Sequence, residues 1–258
     1  SGNDVATSVA VQADGKIVVA GFTTPGANRE FALARYNTDG SLDDNFSYDG
    51  KLTTSVGGSD ADNAAYAIAI STDGSIFAAG REGTTAGANA AVVKYMPDGT
   101  LDASFGTSGI VELSFGAADL SLAYSIALQN DGRGVIVGTA QLGNVRIGAA
   151  RLNTDGSLDT AFSAGAGAND SVRAIALQLD GKIVIGGLFT NYNGVVLNRV
   201  ARLNTDGTVD TSFTPGAGAD DLVSVITVQP DGRILLGGQF THCSGVTRNR
   251  ITRLNSNG

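Results

Sequence analysis

The chain has 258 residues, of which 42% are hydrophobic and only 16% charged, and its formal net charge is −8. That length can bury a large core without a disulfide or metal staple, and the acidic balance repels phosphate, which argues against a nucleic-acid partner. A single cysteine, Cys243, leaves no pair for a disulfide or a CxxC site, and no apolar run approaches the ~18 residues of a membrane span.

Glycine occurs 36 times, and aspartate outnumbers glutamate 22 to 3. Most Asp residues stand beside Gly or Asn, so the acidity follows from turn chemistry. The chain opens on Ser-Gly-Asn-Asp without Met or a signal peptide, and it reads as an excerpt or mature segment of something longer.

Asp-Gly pairs recur at Asp14-Gly15, Asp73-Gly74, Asp131-Gly132, Asp180-Gly181 and Asp231-Gly232, spaced 59, 58, 49 and 51 residues apart. A second series runs through Asp39-Gly40, Asp98-Gly99, Asp155-Gly156 and Asp206-Gly207, and its fifth member is Asn257-Gly258. Self-similarity at this period divides the chain into five repeats, about 1–56, 57–115, 116–164, 165–214 and 215–258.

In each repeat the first pair sits between two apolar runs, as in SVAVQADGKIVVAG (8–21) and AIALQLDGKIVIGG (174–187). That pattern predicts a β-hairpin closed by a tight turn. The runs are rich in Val, Ile, Leu and Ala without polar alternation, which predicts strands buried on both faces. The third strand follows as FALARYN, AVVKYMP, IGAARLN, RVARLN and RITRLN. Repeats 1 and 2 then add a fourth strand, KLTTSV (51–56) and GIVELSF (109–115), where repeats 3 and 4 have the glycine-rich SAGAGAND and TPGAGADD.

Units of this length with three or four antiparallel strands predict an all-β fold, a β-propeller forming one domain over 1–258. Stacking buries the faces that one sheet cannot bury alone. A five-bladed ring is the working expectation, and a linear β-solenoid is the alternative.

The motif Q-x-DGK-I-hydrophobic-hydrophobic-GG followed by ARLNxDGSLDxxF resembles the delta-60 repeat, a β-propeller domain of unknown function in bacterial proteins. QLDGKIVIGG (178–187) with ARLNTDGTVDTSF (201–213) carries the resemblance closely, as does QADGKIVVAG (12–21) with ARYNTDGSLDDNF (34–46). Repeat 2 departs most, with STDGSIFAAG and VKYMPDGTLDASF. The resemblance implies an extracellular or surface-attached bacterial protein and no particular activity.

Arg35, Lys94, Arg151 and Arg202 each precede an Asp by eight residues, at Asp43, Asp102, Asp159 and Asp210; the fifth repeat has Arg253. The intervening turn predicts a structural ion pair within each repeat. Phe46, Phe105, Phe162 and Phe213 stand at one fixed place and predict a plug between repeats. Asn37/Asp39/Asp43, Asn153/Asp155/Asp159 and Asn204/Asp206/Asp210 space their oxygens like the tail of a calcium loop. The cation two positions earlier and the missing bidentate Glu favour an Asx turn, with calcium as the lesser alternative.

No motif of hydrolysis or phosphate binding is present. The one histidine, His242, adjoins Cys243, and neighbours in a strand point to opposite faces. The expectation is a non-enzymatic module of a bacterial surface or secreted protein, acting in adhesion, display or protein interaction, with no cofactor. The alternatives are a lectin-like sugar-binding propeller and a hydrolase with an unmarked site.

Any specific contact with a surface glycan or protein falls to the loops FTNYNGVVLNR (189–199) and FTHCSGVTRNR (240–250). Their candidate ligand-binding residues are Asn191, Tyr192, Asn193 and Asn198 in one, and His242, Arg248 and Asn249 in the other. An aromatic face with amide groups suits a sugar; the structural alternative, which the residues favour, is that the Asn-Gly and Ser-Gly pairs simply close a hairpin in each loop.

Overall fold

The computed structural model describes residues 2–57, 62–83, 88–113, 121–142, 145–146 and 148–258. Among them there is no helix. The residues gather into two compact units, 1–128 with 153–157, and 129–152 with 158–258.

The first unit holds repeats 1 and 2 and the opening of repeat 3. Strands β1 (Val5–Val11), β2 (Ile17–Thr23), β3 (Glu30–Tyr36) and β4 (Lys51–Thr54) form one antiparallel sheet in chain order. Strands β5 (Ala64–Ile70), β6 (Ile76–Glu82), β7 (Asn89–Tyr95) and β8 (Ile110–Leu113) form the second in the same order. Strand β9 (Ser121–Leu128) completes the unit. The fourth strands are thus present in both repeats; residues 114–115 of the second lie outside the described residues.

The second unit holds β10 (Gly134–Leu142), β11 (Val145–Arg146) and β12 (Ala149–Leu152) of repeat 3. Repeat 4 follows with β13 (Val172–Leu177), β14 (Ile183–Gly187), β15 (Asn191–Tyr192), β16 (Val195–Val196) and β17 (Val200–Leu203). Repeat 5 supplies β18 (Val223–Val228), β19 (Ile234–Gly238), β20 (His242–Cys243), β21 (Val246–Thr247) and β22 (Ile251–Leu254). Three-stranded sheets run β13-β14-β17 and β18-β19-β22, and the short pairs β15-β16 and β20-β21 stand off them as extra hairpins.

Local chemistry explains the recurring elements. At the first hairpin the Gly15 amide donates to the Gln12 carbonyl at 2.9 Å, and the Gln12 amide donates to the Lys16 carbonyl at 2.8 Å. Only the glycine of the Asp-Gly pair has positive φ, 83° at Gly15. This is the three-residue hairpin loop with glycine in the left-handed position. The aspartate holds the exit, as Asp14 Oδ1 accepts from the Lys16 amide at 3.1 Å.

The glycine ending the second strand answers a different need. A Cβ on Gly21, Gly80, Gly187 or Gly238 would lie 1.9 to 2.1 Å from the carbonyl oxygen of Val5, Ala64, Ser171 or Leu222, at the start of the first strand or just ahead of it. Each faces a register shift in that strand, between Ala6 and Ser8, Ala65 and Ala67, Val172 and Ala174, or Val223 and Val225. The repeated bulge therefore excludes any side chain there.

The second strands are the most buried, β6 and β14 on both faces. The expectation of two-sided burial fails at β1 and β18, where exposed residues are interspersed with covered ones. Core packing joins consecutive sheets within each unit. Val18, Phe31, Phe46, Ile68, Ile76 and Tyr95 belong to one cluster of the first, and Val184, Phe213, Val223, Ile226, Leu236 and Phe240 to one of the second. Burying one such Phe contributes about 2 kcal/mol.

The ion pairs form as the spacing predicts. Nitrogen to oxygen distances are 2.6 Å for Arg35–Asp43, 2.7 Å for Lys94–Asp102, 2.8 Å for Arg151–Asp159 and 2.7 Å for Arg202–Asp210. A second cation from the first hairpin joins three of them, namely Lys16, Arg133 and Lys182. Each Arg also stacks on the Phe of its repeat, as Arg202 does on Phe213 at 4.8 Å.

Candidate functional site

The glycine-rich segments do more than replace a strand. Ahead of β13, residue Ala168 bridges to Tyr192, and ahead of β18, Ala219 bridges to Cys243. The Asn193 amide donates to the Gly167 carbonyl at 2.8 Å, and the Ser244 amide to the Gly218 carbonyl at 2.7 Å. The segment entering each of the last two repeats thus clamps that repeat's extra hairpin. The corresponding loop of repeat 1, residues 24–29, forms no strand.

Between these two hairpins lies an open cleft of about 330 Å³ lined by Thr190, Asn198, Arg199, Asp220 and His242 with the backbone of 217–219 and Gly245. Asp220 organises one wall. Its Oδ1 accepts from the amides of Thr241 (2.8 Å) and His242 (2.9 Å), and its Oδ2 accepts from the Thr241 hydroxyl at 2.7 Å. The same Oδ2 faces Nδ1 of His242 at 3.2 Å. The His242 amide above all, with the Thr241 hydroxyl, holds the Asp220 carboxyl well below the usual carboxylate range. A carboxylate facing Nδ1 favours a ring hydrogen on that nitrogen.

Repeat 4 builds the same wall from neutral groups. Asn169 Oδ1 accepts from the amides of Thr190 (2.8 Å) and Asn191 (2.9 Å). Asn169 and Asn191 stand where repeat 5 has Asp220 and His242. One scaffold thus carries an amide pair in one repeat and an ionisable pair in the next.

The predicted residues divide between cleft, turn and core. Asn198 and His242 line the cleft, with Asn198 Nδ2 donating to the Ala217 carbonyl at 2.9 Å. Asn191 and Asn193 serve the local turn: Asn191 Oδ1 accepts from the Gly194 amide, and Asn193, at φ 50°, accepts from the Gly167 amide. Arg248 bonds the Thr247 carbonyl and is exposed, as is Asn249.

Tyr192 corrects the expectation of a stacking platform. It is fully buried and edge-on to Phe189, with ring centroids 6.3 Å apart. The alternation of β15 turns Asn191 outward and Tyr192 inward, so no tyrosine face is open to a sugar. Its hydroxyl has no hydrogen-bond partner, and burial pushes its pKa up.

Thr190, Arg199 and Asp220 were not singled out in the sequence. The signal available was the 51-residue register that sets Asp220 opposite Asn169 and His242 opposite Asn191. His242 and Cys243 point apart as expected, since the first is exposed and the second buried.

The calcium-like spacing resolves into turns and ion pairs. Asp39, Asp155 and Asp206 each accept from the amide and hydroxyl two residues on, while Asp43, Asp159 and Asp210 take cations. Among the described residues, no three of His, Cys, Asp and Glu gather as metal ligands would.

Five segments, 12–46, 72–105, 129–162, 178–213 and 229–258, match the model of a family described as a domain of unknown function (DUF5122) beta-propeller. Together they make up more than half of the chain. The chain belongs to the DUF5122 β-propeller family.

No curated protein matches this DUF5122 chain by sequence. Solved structures match it in fold. One is a protein of unknown function from Dyadobacter fermentans, at 12% identity and TM-score 0.53, with 95% of this chain and 74% of that one covered. Another is a gluconolactonase from Xanthomonas campestris, at 17% identity and TM-score 0.51, with 89% and 68% covered. A third is PorZ of Porphyromonas gingivalis, described as a bacterial surface component of the type-IX secretion system, at 13% identity and TM-score 0.51. The alignment takes in 96% of the DUF5122 chain but only 32% of PorZ. No helix is long and apolar enough to cross a membrane among the described residues.

Proposed function

We propose that this chain is a non-enzymatic, extracellular binding and display module in which each repeat is one propeller blade. Its contact surface is the cleft and paired hairpins of repeats 4 and 5. The observation that carries this reading is the division of labour among residues. The recurring Arg, Lys, Asp and Phe are consumed in joining strands and repeats, whereas the added hairpins expose Val195, Val196 and Val246 beside a polar cleft. Exposed apolar tips beside fixed polar groups suit recognition, and loops on a rigid scaffold are where it concentrates. The surface role of PorZ supports an extracellular setting by fold likeness alone.

A sugar ligand is the second reading. The cleft offers acceptors and donors at His242, Asp220, Thr190 and Asn198 for hydroxyl groups, but stacking would have to come from aliphatic tips because Tyr192 is buried.

The test is a binding screen of the labelled chain against a glycan array and an array of bacterial and host surface proteins. Saturable retention should weaken about tenfold, near 1.4 kcal/mol, in both His242→Ala and Val196→Asp. Retention indifferent to both substitutions would remove the cleft and hairpins as the contact surface.

A further inference from the structure

The two walls of the cleft differ in where one hydrogen goes. Asn169 Oδ1 accepts from the amides of Thr190 and Asn191, which fixes the orientation of its side-chain amide. Nδ2 therefore faces Thr190, and it donates to the Thr190 hydroxyl oxygen at 2.9 Å. That hydroxyl keeps its own hydrogen to give. In repeat 5 the carboxylate of Asp220 reverses the bond. The Thr241 hydroxyl donates to it at 2.7 Å, so this hydrogen is already taken. The neutral wall thus offers a donor where the ionised wall offers none.

Arg199 stands at the base of the same hairpin as Thr190, and both line the cleft. Its amide donates to the Phe189 carbonyl at 2.8 Å, and its φ is 65°. Its Nη1 donates to the carbonyls of Leu188 and Phe189, at 2.7 and 3.3 Å. Its Nε is buried without a hydrogen-bond partner. Among the described residues Arg199 forms no ion pair. The carboxylate of the cleft, Asp220, is instead held by the amides and hydroxyl of its own wall. Arg199 is therefore a cation with donor capacity that the protein does not use.

The floor gives a peptide nothing to pair with. The amides of Gly218, Ala219 and Asp220 donate to the carbonyls of Pro215, Asn198 and His242. The carbonyls of Ala217 and Gly218 accept from Asn198 Nδ2 and the Ser244 amide. An extended peptide docks by main-chain pairing, whereas a sugar is held by side-chain donors and acceptors. Thr190, Asn198 and His242 supply those, and the volume of about 330 Å³ suits a small ligand.

We propose that the cleft binds an acidic sugar, a uronate, with its carboxylate at Thr190 and Arg199 and its ring hydroxyls towards His242. The inference rests on the cleft being the contact surface. A carboxylate only accepts hydrogen bonds, and both groups at that end have hydrogens to give. Repeat 5 carries the same device as Arg199 at Arg250, at φ 67° with Nη1 on the Gln239 carbonyl, but outside the cleft lining.

Calorimetric titration tests this with glucuronic, galacturonic and mannuronic acids against glucose, galactose and mannose, each pair differing at one carbon. At least one uronate should bind about tenfold more tightly than its parent sugar. Arg199→Gln should abolish that preference. Thr190→Val, which removes the hydrogen and keeps the shape, should weaken it, and decides alone if Arg199→Gln fails to fold. Arg250→Gln removes the same backbone cap from repeat 5 and should leave the preference unchanged, which separates ligand binding from hairpin stability. Uronates held no more tightly than their parents, or a preference that survives loss of the Arg199 charge and the Thr190 hydroxyl, would overturn the proposal. Neutral glycans or proteins retained by the chain and lost in His242→Ala would remove the acidic ligand and leave the cleft as contact surface. Retention that ignores both His242→Ala and Val196→Asp would remove the cleft itself.

Discussion

Tyr192 shows how one residue can carry a wrong implication in a sequence and a clear one in a structure. In the loop Asn-Tyr-Asn-Gly it looks exposed, because the neighbours are turn formers. The two-residue strand β15, held by Ala168, turns it into the core with an unpartnered hydroxyl. Tyr192→Phe removes that hydroxyl and keeps the ring, so stability should rise by about 1 kcal/mol in a urea titration. A loss instead would mean that the hydroxyl has a partner.

The ion pairs were legible from the eight-residue spacing alone, since the turn between Arg and Asp is local. Their energetics depend on burial that spacing does not give. Asp210 touches both Arg202 and Lys182 in the interior. Asp210→Asn should therefore cost about 3 kcal/mol, and Arg202→Met should add to it less than its separate cost. Fully additive losses in the double-mutant cycle would reject the pairing.

The pairs also set an acid limit. The Lys16 ammonium lowers Asp43 from 3.8 to about 2, and the Lys94 ammonium does the same for Asp102. A depressed folded-state pKa means that these pairs stabilise fully above about pH 4 and lose their contribution as pH falls towards 2. The melting temperature should drop through that window. A flat profile across it would contradict the assignment.

Among the elements, the hairpins around Asp-Gly were visible because apolar runs and turn chemistry are both local signals. The fourth strands of the first two repeats were visible for the same reason. The extra hairpins β15-β16 and β20-β21 were visible in their Asn-Gly and Ser-Gly turns, but what holds them in place was not. Each needs the glycine-rich segment some 25 residues earlier, at 163–170 or 214–221, and a segment of Gly and Ala carries no strand pattern of its own.

The closing glycine of the second strand is clearer in the structure than in the motif. Its role is a bulge that leaves no room for a Cβ, not a turn. Gly187→Ala would bring a methyl 2.1 Å from the Ser171 carbonyl. It should cost about 2 kcal/mol and shift the melting midpoint, whereas Gly194→Ala, with open space around it, carries only its positive-φ strain. Equal losses at both sites would leave the bulge contact without weight.

For the whole molecule, the repeats account for the five family matches and for most of the charged side chains, and they place the differences at one end. Repeat-wide residues serve the junctions between consecutive sheets. The unequal parts are the clamped hairpins and the cleft where Asp220 and His242 replace Asn169 and Asn191. A hydrolase with an unmarked site is the contrasting reading, and His242 with Asp220 is the ionisable pair of the cleft that a turnover assay would probe.

The most direct test of a binding role is a turnover assay on a panel of sugar lactones and extracellular polysaccharides. The account predicts no product above the buffer control at any pH at which the chain is folded. Product formation that disappears in His242→Ala would contradict it.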